Sequence, residues 1–472
     1  MSEPISAAGA DDTAAIRFTP EEARRSSIVL GTLFVVYFFS SVDRSIFSIL
    51  AQPIKEELLL ADWQLGFLTG FAFSAVHLVF GFPMAWVTDK GNRVTILSIC
   101  VAFWSVMTAL CGIAGNFVHM TLARMGVGVG EAACLPASHS LISDYYPPLR
   151  RTKALAIYGL GYPAGALVGM VIGGTVVDHW GWRAAFYVVG LPGLLVALIT
   201  WRVVKEPQRG RYDSAADTGA DPDFASPKSF KEVALILWRS PILRQMILAL
   251  TLVSVFTSPT STFLGPYLVR KFPISYTELG WIMVAAMMLP ASISTFVGGV
   301  ITQRLGARDQ RWFMWFPGIT LAIGAPLYVT ALAQPDWQHL VAWMFFGALI
   351  NATFLAPCYT VLHNTIPPGG RAKAVVILGL FMGLIGHSLG PLIAGAANDI
   401  IAGIQFTAAP GGYLSACPGG QAPAGAPAAL DAACQDALAT ATQWVMMATM
   451  ALTLWPAWHF FLAGRNMMKA KA

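Results

Sequence analysis

Two acidic and two basic residues lie inside long apolar runs. Asp43 and Arg44 interrupt the stretch from Ile28 to Leu50, and Arg124 and Glu131 interrupt the stretch from Phe117 to Ile142. A charge at bilayer depth is costly, so each of the four needs a partner, a water-filled cavity or a function. Desolvation favours the neutral form of a carboxylate and a nearby arginine favours the charged form, so a movement that makes or breaks the contact moves a proton. The expectation from residue types is that Asp43 and Glu131 carry protons and Arg124 is the switch. The alternative is a static ion pair that ties two helices together. Arg44 lies about 100° around the helix from Asp43. It either faces a cavity and holds an anionic head group or serves as a second partner for Asp43 or Glu131.

The elements that position these residues are membrane helices. The chain has 472 residues, 56% hydrophobic and 12% charged, about half the charge fraction of a soluble protein. Apolar stretches near the ~20 residues needed to span a bilayer recur twelve times, at 28–52, 63–87, 94–114, 117–143, 153–177, 184–203, 243–269, 279–302, 312–333, 338–364, 373–400 and 439–463. They lack the period-two alternation of a β-barrel. The N-terminus lacks the pattern of a cleaved signal peptide. With the N-terminus inside, most Lys and Arg fall on the cytoplasmic side, and only Lys55, Arg183, Arg270 and Lys271 fall outside. That bias supports twelve helices with both ends cytoplasmic. The net charge of +5 then reflects topology, and nucleic-acid binding is not inferred.

The chain also repeats. Pro147-Pro148-Leu149-Arg150-Arg151-Thr152-Lys153-Ala154 returns 220 residues later as Pro367-Pro368-Gly369-Gly370-Arg371-Ala372-Lys373-Ala374, and Asp89-Lys90 is echoed by Gln303-Arg304 at an offset of 214. Two six-helix halves in the same orientation imply a pseudo-two-fold axis along the membrane normal, a transporter architecture with its site near midplane between the halves. The expected organisation is a cytoplasmic segment 1–26, a first half 27–203, a polar linker 204–240, a second half 241–464 with a loop at 404–437, and a tail 465–472. Cys417 and Cys434 fall in that Ala/Gly/Pro-rich loop and are disulfide candidates. Cys100, Cys111, Cys134 and Cys358 lie in apolar helices and read as small core residues. No spacing suggests a metal site, a cofactor-binding loop or a nucleophile with its base.

Several of these motifs carry a resemblance. The segment Ala85 to Arg93 resembles the loop motif between helices two and three of the major facilitator superfamily, with Ala85 and Asn92 where glycines are usual. Gly159 to Gly174, with Pro163, resembles its glycine-rich fifth helix. Val42-Asp43-Arg44, Phe103-Trp104-Ser105 and Arg124 to Ala132 are similar to the spinster subfamily. The resemblance implies an all-α fold of twelve transmembrane helices in two pseudo-symmetric halves, a bacterial inner membrane and a monomer. It places helices one and four side by side. Asp43 is then about 13 Å and Arg124 about 10 Å below the outer surface, with Glu131 two turns deeper. It also implies that Asp89, Lys90 and Arg93 brace one state between the halves.

His387 and Tyr162 are expected at the cavity with Arg44, His387 because the family's eleventh helix borders it. His77 is a weaker candidate, and Pro163 and Pro391 are candidate flexion points. At the 220 offset Met344 and Asn351 replace Arg124 and Glu131, so coupling is expected in the first half. With few polar residues beyond the ladder, the core favours an amphipathic substrate, and the resemblance points to sphingolipid or lysophospholipid types. Rivals are a proton-coupled transporter of organic anions or sugar acids, a passive scramblase, and a membrane-embedded enzyme acting on lipid. His139 and Asp144 are the only acid/base candidates close in sequence for such an enzyme.

Overall fold

The computed structural model describes residues 19–212, 229–367 and 370–469. The expected segment 1–18, most of the polar linker, the second residue pair of the repeated Pro-Pro turn (Pro368, Gly369) and the last residues of the tail lie outside that range. No strand occurs among the described residues.

Among the described residues, ten continuous helical segments are long and apolar enough to cross a membrane. They are α1 (Pro20–Glu57), α2 (Asp62–Lys90), α3 (Arg93–Cys111), the double-length Pro148–Val203, α7 (Pro241–Lys271), α8 (Tyr276–Arg308), α9 (Trp312–Leu332), α10 (Trp337–Thr365), α11 (Lys373–Gln405) and α12 (Ala428–Met468). Pro148–Val203 turns back at Gly181, whose φ of 77° suits a residue without Cβ. It therefore supplies two passes, α5 (148–180) and α6 (182–203). The remaining pass, α4, runs as Phe117–Glu131 and Cys134–Tyr145 around a break at Ala132-Ala133. Twelve passes result, and the protein is a multi-pass membrane protein. A short surface helix, Phe230–Arg239, precedes α7.

The repeat is visible in irregularities as well as in length. The break in α4 returns in α10, which is interrupted between Asn351 and Leu355, 220 residues on. A π-helical stretch at Phe67–Ala75 in α2 has its counterpart at Val284–Met288 in α8, and a third lies at Phe381–His387 in α11. Such widened turns cluster at functional sites.

The core is asymmetric along the membrane normal. On the face rich in Lys and Arg, called here the basic face, each half has its own apolar cluster. One is built around Trp104 and Leu141, the other around Leu250 and Phe460. Toward the far face a single cluster joins the halves, with Leu50 and Leu65 from one packed beside Leu264 and Leu279 from the other. The halves therefore meet at the far face and separate toward the basic one. Three pairs of helices make that contact, α2 with α11, α5 with α8, and α1 with α7, where Gly265 lies against the Ser48 carbonyl. Four glycines let the backbones touch. A Cβ at Gly66, Gly174, Gly280 or Gly395 would stand within 2.5 Å of a carbonyl oxygen of the opposite half. Gly66→Val or Gly280→Val is expected to prevent this closure. A cysteine placed at buried Met283 should then react with a membrane-impermeant maleimide, as it does not in the unaltered background.

Candidate functional site

Helix α1 brings Asp43 and Arg44 to the first half's interior, and α4 brings Arg124 and Glu131. Glu131 is the last residue before the break in α4 and is fully buried. Its Oε2 accepts hydrogen bonds from Arg44 Nε at 2.6 Å and Ser40 Oγ at 2.9 Å, and its Oε1 has no partner. Arg124, 4% exposed, lies between the rings of Phe47 and Phe73, 4.4 and 4.9 Å from their centroids. Cation–π contact supplies part of what an anion would give, but its Nε has no hydrogen-bond partner. Asp43 is buried and its Oδ1 is unpartnered. The ladder expected from sequence differs here in its pairing, because Arg44, not Arg124, holds Glu131. The reason is angular. Arg44 projects across the α1–α4 contact at the level of the break, whereas Arg124, two turns away, meets the phenyl rings of Phe47 and Phe73. In the second half the corresponding Met344 and Asn351 are buried.

Arg44 and Arg124 border a cavity of about 490 Å³ between the halves, and the buried Asp43 and Glu131 are not part of its lining. Arg44, Tyr162 and His387, the residues expected to meet substrate, all line it, as do Arg124 and His77. The side chain of Arg44 is 25% exposed, so it both faces the cavity and pairs with Glu131. The expectation of few polar groups beyond the ladder is corrected. Ser41, Ser45 and Ser48 on α1 face the cavity with Ser258, Ser261 and Thr262 on α7. Their helical spacing was a signal, since i, i+4 and i+7 share a face, but serines in an apolar run do not alter its hydropathy enough to stand out.

The far face is closed by a device that sequence reasoning missed. Asp399 of α11 accepts hydrogen bonds from the first amides of α2, Asp62 N at 3.0 Å and Trp63 N at 2.9 Å. Asp178 of α5 accepts from the first amides of α8, Tyr276 N at 3.0 Å and Thr277 N at 2.7 Å. Each carboxylate thus caps a helix of the other half, satisfying free amides at the positive end of the helix dipole. The amides are related by the 214 offset. Beneath the first cap, Arg270 makes a two-pronged contact to Asp62 (2.9 and 3.0 Å) across the halves, and Lys55 joins it. Lys55 and Asp62 are buried, and so is the side chain of Arg270. Cys417 and Cys434 are bonded. They hold a loop whose Gly419 and Gly420 pack on Lys55 and Leu59 of the first half. In sequence these charges read as ordinary helix-end residues.

On the basic face, Asp89 and Lys90 are exposed. Lys90 lies over Trp86 and the Asp89 carbonyl accepts from Arg209. Arg93 is buried against Asp144 Oδ2 (2.5 Å) and Glu206 Oε1 (2.7 Å). Its contacts stay within the first half and the linker, so this motif does not bridge the halves in the present state. Asp144 is committed to Arg93, and His139 packs on Tyr158. They form no acid/base pair.

A two-bundle helical membrane protein with a central cavity closed on one side is the frame of a secondary transporter. The major facilitator superfamily model matches residues 33–269 and 246–409, and the chain belongs to that superfamily. It is of the spinster-like type. A bacterial homolog of the human lysosomal transporter spinster, in an inward-facing and unoccupied conformation, is 30% identical, superposes with a TM-score of 0.85, and is matched over 94% of this chain and 98% of its own. An MFS-type efflux pump of Mycolicibacterium smegmatis is 28% identical over 80% of this chain and 85% of its own length. A probable galactarate/D-glucarate transporter of Bacillus subtilis is 25% identical over 78% and 88%.

Losing one carboxylate cap is worth roughly 1 kcal/mol, a shift of about fivefold in the balance of states. Asp178→Asn and Asp399→Asn should each move the protein toward opening at the far face. Distances between spin labels on the far ends of α5 and α8 would report it as a new, longer population. Glu131→Gln should lower stability by roughly 1–3 kcal/mol, because Arg44 loses its anion. Thermal unfolding in detergent measures it.

Proposed function

We propose that this protein is a proton-coupled secondary transporter of a bacterial inner membrane, with both termini in the cytoplasm. It works by alternating access and carries an amphipathic, lipid-like anion of the sphingolipid or lysophospholipid type. The observation that carries this reading is Arg124, a buried guanidinium on the cavity wall that makes no direct ion pair among the described residues and whose Nε is unpartnered. Two carboxylates lie near it, at Asp43 and Glu131. An anionic head entering from the basic side would meet Arg124 and Arg44 together. Its approach competes with Glu131 for Arg44, and a buried carboxylate deprived of its cation takes up a proton. Charge then stays balanced as the cavity changes sides, with Asp43 the second proton-carrying group. His387 and Tyr162 bound the substrate from α11 and α5. Asp89, Lys90 and Arg93 have their role in the opposite state, when the basic face closes and the two caps at the far face release.

A second reading, a proton-coupled carrier of small organic or sugar acids, is favoured by the hydroxyl-bearing wall. In that case Arg44 and Arg124 clamp a carboxylate. In sealed proteoliposomes holding a pH dye, lysolipids, sphingoid compounds and small acids separate the readings by which of them drives proton flux. Asp43→Asn should abolish the flux. Flux unchanged in that variant overturns coupling through Asp43, and labelled lipid crossing without any response to a pH gradient indicates a passive carrier.

A further inference from the structure

Two hydroxyl rows, one from each half, line the cavity and have a chemical polarity. Ser41, Ser45 and Ser48 on α1 are matched on α7 by Ser258, Ser261 and Thr262, with Ser41 and Ser258, and Ser45 and Thr262, each 217 residues apart. Five of the six already donate their proton to a protein carbonyl. Ser41 donates to Tyr162 O at 2.6 Å, Ser45 to Ser41 O at 2.7 Å and Ser48 to Ser45 O at 2.6 Å. Ser258 donates to Gly386 O at 3.2 Å and Ser261 to Thr257 O at 3.3 Å. On the adjoining wall, Thr69 donates to Leu65 O at 3.1 Å. A hydroxyl whose proton is committed offers its lone pairs only. These rows are therefore strips of hydrogen-bond acceptors. Arg124, beside them, is the opposite: it has donors only, and is 4% exposed with its Nε unpartnered.

A ligand that satisfies both must present an anion to Arg124 and O–H or N–H donors to the serines. A bare alkyl acid would answer the guanidinium and leave the acceptors desolvated without partners, which is the costly case. We infer that the substrate's head is an anion carrying several hydroxyl or amino donors next to its charge. This rests on the transport reading above and narrows its substrate class. Such chemistry has two sources, the hydroxylated head of a lipid or a free polyhydroxy acid, and the acceptor rows serve either.

The test is equilibrium binding to the purified full-length protein in detergent, by titration calorimetry, with two matched pairs of probes. Adipate and galactarate are six-carbon diacids without and with hydroxyls. Dodecyl phosphate and a lysophosphatidylglycerol are anionic amphipaths without and with donors in the head. The expected result is that in at least one pair the hydroxylated member binds at least tenfold more tightly. The Ser45→Ala, Ser261→Ala double variant should shrink that ratio by roughly fivefold to tenfold in all. The pair that responds names the source. Equal binding within both pairs, no binding by any of the four, or an unchanged ratio in the double variant overturns the inference. Binding is read without a gradient, so a failure of proton coupling shows only in the flux assay and is told apart from a failure here.

Discussion

The pairing of Arg44 with Glu131 is the interaction on which the interior of the first half depends. Two cations and two carboxylates are held in a bilayer-depth core, yet only this one contact is a direct ion pair. Breaking a buried pair leaves an uncompensated charge, at a cost larger than the pair's net contribution when formed. The remaining charges are managed differently. Arg124 is lodged between aromatic faces, and Asp43 lies within electrostatic reach of both arginines and of Glu131. The result is a core with one satisfied pair and two groups still open to a ligand or a proton.

The far face uses the same physics with a different purpose. Asp178, at the exposed edge, and Asp399, buried, satisfy helix amides left free at an N-terminus, and each reaches into the half to which it does not belong. The glycines on the same helices remove the side chains that would hold the backbones apart. Closure is thus built from short polar contacts over a continuous apolar cluster. The basic face has separate clusters and no such caps between the halves among its described groups.

The sequence made the architecture legible, and the reasons are specific. Hydropathy marks the bilayer directly, and Pro147-Pro148 with its echo at Pro367 marks where each half turns. Hydropathy does not mark helix ends: α1 runs from Pro20 to Glu57, well past the apolar stretch at 28–52, because a capped helix continues into the polar interface. Of the cavity residues, Arg44 was legible as a charge in an apolar run, and His387 because the eleventh helix of the family it resembles borders the cavity. The partner of each charge was not. Whether Glu131 meets Arg44 or Arg124 depends on the rotation of α1 against α4 by a fraction of a turn, which residue spacing cannot fix. Asp178 and Asp399 were invisible for a related reason, because a carboxylate near a helix end looks the same whether it caps its own half or the other.

The turn at Gly181 sets the mechanics of the far face. Two residues separate Asp178 from that glycine, and α5 passes into α6 there without a loop. Helix α6 packs closely on α3, with Gly190 against the Ala109 backbone and Gly193 against Ser105. Asp178 is therefore mounted on a linkage with no slack. A longer connection would let the tip of α5 lag behind while the rest of its bundle tilts. Here the tip travels with the bundle, so its grip on α8 is lost all at once. A linkage of this kind favours a toggle over a hinge that opens by degrees, and so disfavours half-open forms with both sides of the membrane in communication.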